Sequence, residues 1–111
     1  MKKRGLKQSE ETTARYVGQQ LGRLISKRPH LSKRVFGLLK QVDEGYEKFH
    51  SAILDLYNLC YKNGGGNLDP YLLIFLNEDN YHELAEVIKQ SLYNYLQEMD
   101  IDDVDLSFFN S

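Results

Sequence analysis

From Val35 to Cys60, apolar residues recur at Val35, Leu39, Val42, Tyr46, Phe49, Ile53, Leu56 and Cys60, spaced 4-3-4-3-4-3-4. That alternation keeps one stripe of a helix apolar through more than three heptads. It predicts one long central helix, with Ser32 as its N-cap and Leu31 and Phe36 forming a hydrophobic staple. The helix should end near Lys62, with Asn63 and Gly64 forming a left-handed cap. Such a helix would be on the order of 45 Å long, whereas a compact chain of about 100 residues has a radius of gyration near ~13 Å. A straight helix of this length must protrude or be covered by a second copy. The expectation is a homodimer with Val35, Leu39, Val42, Tyr46, Phe49, Ile53 and Leu56 as its seam.

The remaining segments fit around that helix. Ser9 should cap a first helix, with Glu10 and Glu11 at the positive end of its dipole. Ala14, Val17, Leu21, Leu24 and Ile25 form its apolar face, and Pro29 stops it. Asp69 and Pro70 open a short apolar helix over residues 71–76. Asn77 or Asp79 caps a last helix striped by Tyr81, Ala85, Ile88, Leu92, Tyr95 and Met99. No segment alternates like a strand. The fold class expected is all-α: a small bundle of about four helices completed by dimerisation. Residues 1–8 form a basic arm, 9–99 a single helical domain and 100–111 an acidic flexible tail.

Charge is unevenly distributed. Residues 1–40 carry eleven Lys and Arg against two acids, a formal +9, while residues 41–111 carry three against fourteen, a formal −11. The near-neutral total of −2 hides this asymmetry. It points to an acidic protein or nucleic-acid partner for the basic part, to pairing of the two parts, or simply to solvated helix faces. The densest stretch gives an anion- or partner-binding candidate: Arg23, Lys27, Arg28, Lys33 and Arg34, with His30 beside them. Lys33 and Arg34 fall in the first turn of a helix, where cations oppose the dipole.

Ala14, Gly18 and Gly22 recur every fourth residue. Each interior helical glycine costs about 0.8–1 kcal/mol relative to alanine, so the pattern indicates either close approach by another helix or chance. In the tail, Asp102, Asp103 and Asp105 mix with the apolar anchors Leu106, Phe108 and Phe109, which suits either a docking segment captured by a partner or phenylalanines folded back on the bundle.

Chemistry is poorly represented. The one cysteine, Cys60, excludes an internal disulfide and multi-cysteine zinc sites, and its place on the seam makes it a small buried hydrophobe. Glu47 and His50 have the Glu-x-x-His spacing of di-iron bundles, but they flank the seam instead of entering it together. Asp79 and His82 are a weaker echo. Gly64, Gly65 and Gly66 lack the Lys-Ser/Thr of a phosphate loop and read as a linker. No nucleophile pattern is present. These readings predict no catalytic residues, no metal and no cofactor. With no apolar run near twenty residues and no apolar stretch after the basic start, the expectation is a cytoplasmic, non-enzymatic interaction module, self-associating and regulatory or scaffolding. The alternative is a nucleic-acid-binding protein using the basic half.

Overall fold

The computed structural model describes residues 7–41, 44–63, 81–101, 104 and 106–110. Four α-helices account for most of them: α1 (Gln8–Lys27), α2 (Ser32–Gln41), α3 (Tyr46–Lys62) and α4 (Tyr81–Glu98). A 3-10 turn, Pro29–Leu31, joins α1 to α2, and a second, Leu106–Asn110, follows α4. The all-α expectation holds across the described residues. The basic arm before residue 7, Val42, the linker glycines and the apolar run at 71–76 lie outside them, as do Asn77 and Asp79.

The single long helix does not form. Gly45 has φ 127°, in the region where a side chain is strained, and it separates α2 from α3. Folding back at Gly45 sets α2 against α3, so the two halves of the stripe face one interior. Val35, Leu39, Phe49, Ile53, Leu56 and Cys60 are all buried within one chain, and Tyr46 packs against this core. The cover that the seam required is supplied in cis, which removes the argument for a dimer through these residues.

The first helix begins one residue before the expected cap. Lys7 is its N-cap, and the Glu10 carboxylate accepts the Lys7 backbone N–H at 2.8 Å. Glutamate at the third helical position thus satisfies an orphan donor and faces the positive end of the dipole. The apolar face of α1 is the predicted one: Ala14, Val17, Leu21, Leu24 and Ile25 are buried. It lies along α4, whose buried residues are Leu84, Ala85, Ile88, Leu92 and Leu96. The α4 stripe differs from the expected one at its C-terminal end, where Leu96 enters the core and Met99 is exposed.

The glycines explain how α1 and α4 approach so closely. A Cβ on Gly18 would sit 2.7 Å from the Ile88 carbonyl oxygen and 2.7 Å from Ser91 Cβ. One on Gly22 would sit 2.5 Å from the Tyr95 ring. The gap at Gly18 is also bridged by polar contact, since Ser91 Oγ donates to the Arg15 carbonyl at 2.7 Å. The close-approach reading of Ala14, Gly18 and Gly22 is therefore the one the fold adopts. Alanine at either glycine gains about 1 kcal/mol of helix propensity, but overpacking typically costs about 1–3 kcal/mol. At Gly18 the obstacle includes the Ile88 carbonyl oxygen, and at Gly22 it is the root of the half-buried Tyr95 side chain, its Cβ, Cγ and Cδ1. Gly18→Ala and Gly22→Ala should therefore each lower the melting temperature in calorimetric scans paired with the wild type.

The chain turns sharply after α4. Asp100 has φ 51°, the Ile101 N–H donates to the Leu96 carbonyl, and the Asp100 N–H donates to that of Gln97, both at 3.2 Å. This is a Schellman cap with aspartate in the position glycine usually takes. It directs the following residues back onto the bundle. Val104 is buried, Ile101 and Leu106 pack on the core, and the Phe109 ring meets Phe36 at 5.3 Å and Tyr93 at 5.0 Å. The free docking tail gives way to the folded-back alternative for Leu106 and Phe109, because the apolar groove that captures them belongs to this chain. The Phe108 side chain lies outside the description.

Candidate functional site

The corner where α1 meets α2 collects the basic residues singled out in the sequence. Pro29 cannot continue α1, so the helix ends at Lys27 with the Arg28 N–H bonded to the Leu24 carbonyl at 2.9 Å. Pro29 then opens the 3-10 turn, and the Leu31 N–H returns to the Arg28 carbonyl at 2.9 Å. The turn runs straight into α2. Ser32 has helical dihedrals, is buried and donates its backbone N–H to the Pro29 carbonyl, so it is not the N-cap expected. Leu31 packs on the core and Phe36 is buried, which anchors both ends of the corner.

With the backbone fixed this way, Arg23, Lys27, Arg28, Lys33 and Arg34 are all exposed, as is His30. Arg23 and Lys27 lie one turn apart on α1, Arg28 caps that helix, and Lys33 and Arg34 occupy the first turn of α2. None of the five makes an ion pair among the described residues. The reason is legible in the chain itself. Between Glu11 and Asp43 there is no acid, while seven Lys and Arg occur there. The Glu11 carboxylate is already used by Arg15. The structure therefore brings the five predicted residues to one corner and leaves their charge uncompensated. It also alters the expected backbone contribution, since two N–H groups near the start of α2 are used inside the 3-10 turn. Attraction for an anion here comes from side chains more than from free N–H groups.

Other chemical candidates do not assemble. Glu47 is exposed on α3, while the His50 ring stacks on Tyr46 with centroids 6.1 Å apart. Among the described residues no three His, Cys, Asp or Glu side chains come together as a metal site. A surface cleft of about 320 Å³ lies between α1 and α4, lined in part by Gln19, Gln90, Asn94 and Glu98. Within it Gln90 Nε2 donates to Asn94 Oδ1 at 3.0 Å, beside the Glu11–Arg15 pair. No described helix is long and apolar enough to cross a membrane.

Cys60 is fully buried, and burial pushes its thiol up from 9.0 to about 11. A thiol held neutral inside a core is neither nucleophile nor ligand. The raised value favours the folded state while both forms are protonated, and that advantage declines as pH rises from 9 through about 11. Native protein at pH 8 should resist iodoacetamide, with labelling appearing only with unfolding in urea. Rapid labelling of native protein would contradict this burial.

Comparison of the chain with family models, curated proteins and solved structures gives no match. The functional reading therefore rests on the chemistry of the corner.

Proposed function

We propose that this protein is a non-enzymatic α-helical interaction module that engages an acidic protein surface through Arg23, Lys27, Arg28, Lys33 and Arg34. The observation that carries this reading is the exposed, uncompensated positive charge at the α1–α2 corner, on a backbone anchored by buried Leu24, Ile25, Val35 and Phe36. Five exposed cations around one turn suit carboxylates presented by a folded or extended protein segment. Complementary charge of this kind mainly sets encounter rate and specificity. A scaffolding or regulatory role follows from binding without chemistry.

Nucleic acid is the competing occupant, since phosphates attract the same side chains. The protein reading is favoured because, among the described residues, no exposed tyrosine or phenylalanine accompanies the five cations, and His30 is the one exposed ring beside them. The stacked pair Tyr57 and Tyr61 belongs to α3, in the acidic part of the chain, and single-strand binding uses aromatic platforms beside basic ones. Titration of the labelled protein with polyglutamate and with generic DNA, each at low and moderate salt, separates the two. Saturable, salt-sensitive binding to polyglutamate that disappears in the triple variant Arg23→Glu, Lys27→Glu, Arg28→Glu is the expected result. Tighter binding to DNA, lost in the same variant, would assign the corner to nucleic acid. No binding of either polyanion at low salt would remove the corner as a site.

A further inference from the structure

We propose that the outer flank of α3 is a self-association surface that takes the same flank of a second copy in antiparallel order. This surface is distinct from the buried stripe of Phe49, Ile53, Leu56 and Cys60 and from the basic corner. His50, Leu54, Tyr57 and Tyr61 follow one another at spacings of 4-3-4, so they share a face of the helix beside the core-facing one. Leu54 is 39% exposed and Tyr61 65%, and His50 and Tyr57 are half-buried. The Tyr57 and Tyr61 rings stack with centroids 6.2 Å apart, which presents a pre-ordered aromatic pair at low entropic cost. Among the described residues the exposed large hydrophobics are Leu54, Tyr61 and Met99. Two of the three thus lie on this one flank, which single scattered surface hydrophobics would not produce.

The ends of the flank identify the occupant. Glu47 lies in the first turn of α3 and Lys62 in the last, both exposed and neither in an ion pair among the described residues. They are fifteen residues apart in sequence, or about 22 Å along the helix. A second α3 laid antiparallel about Leu54 sets each Glu47 opposite the other copy's Lys62, twice by symmetry, with leucine at the centre. A parallel copy would oppose like charges at both ends. The patch is therefore self-complementary in one orientation, as a two-fold interface requires. One helix flank falls short of the ~1,200 Å² typical of stable complexes, so the association is weak and concentration-dependent.

Sedimentation equilibrium across a concentration series up to about 1 mM, the range of the weakest specific complexes, reads this directly. Wild-type mass should rise toward two chains, while Leu54→Glu should stay at one chain with a helical spectrum and melting temperature close to wild type. Glu47→Lys and Lys62→Glu should each weaken association, and a mixture of those two variants should associate more strongly than either alone, because each then meets an opposite charge at both ends. A wild-type mass of one chain throughout overturns the proposal. So does Leu54→Glu with unchanged association, or a mixture no stronger than its components. A single-chain wild type whose Leu54→Glu variant loses several degrees would show that the flank is covered within the chain, which also overturns it.

Discussion

Phe49→Ala should lower stability by about 3–5 kcal/mol, the usual cost of emptying a fully buried aromatic site. That is a large part of the ~5–15 kcal/mol available to a domain, and it corresponds to a drop in melting temperature of roughly 12–20 °C. Phe49 is fully buried, and its ring lies 5.4 Å from that of Tyr81, so its removal opens a cavity between α3 and the start of α4. At low micromolar protein the variant and the wild type should both have the mass of one chain, because the stripe is closed within the chain. The measurement is calorimetry paired with light scattering. A wild-type dimer at that concentration that Phe49→Ala converts into a folded, equally stable monomer would return the stripe to an intermolecular role.

The contrast between that stripe and its fold shows what periodicity can reveal. The 4-3 spacing picked out Val35, Leu39, Phe49, Ile53, Leu56 and Cys60, all buried, and Tyr46, half-buried, because a helix and two helices folded back on each other both present an apolar stripe to one interior. It could not report the break, since Gly45 falls between seam positions and leaves the phase undisturbed. The local signal was nevertheless present: Gly45 follows Asp43 and Glu44, and glycine after polar residues is a common helix breaker. Ala14, Gly18 and Gly22 were legible for the opposite reason. Glycine is costly in a helix, so its repetition on one face points to a neighbour, although only the structure identifies that neighbour as Ser91 and Tyr95 of α4.

The tail depended on longer-range information. Asp100 in a left-handed conformation and the groove made by Phe36 and Tyr93 decide where Phe109 goes. Those two rings lie far from it in sequence or across a helix surface, beyond any local pattern. The placement of the five cations around the α1–α2 turn was legible, because they lie within twelve residues and Pro29 fixes the turn between them. What the sequence missed there was the 3-10 turn, which takes Ser32 out of its capping role. The α3 flank of Leu54, Tyr57 and Tyr61 was hidden by the stronger stripe beside it.

The most direct test of the corner replaces both Lys33 and Arg34 with glutamate. Both residues are exposed at the start of α2, where cations oppose the helix dipole, and they repel Arg28 nearby in the chain. Reversing them should stabilise the isolated fold by up to about 1 kcal/mol in total. The same change removes two of five attractive charges and adds two repulsive ones, so polyglutamate binding at low salt should weaken by about tenfold to a thousandfold, at ~1.4 kcal/mol per factor of ten. Moderate salt should reduce wild-type binding strongly and the variant's residual binding little. Stability and binding thus move in opposite directions, as expected where charge is kept for a partner at the fold's expense. The deciding measurement is the pair of polyglutamate titrations, wild type against Lys33→Glu/Arg34→Glu, with thermal melts of the same samples. Weakened binding in a variant at least as stable as the wild type is the predicted result; equal binding by the two proteins would contradict the account.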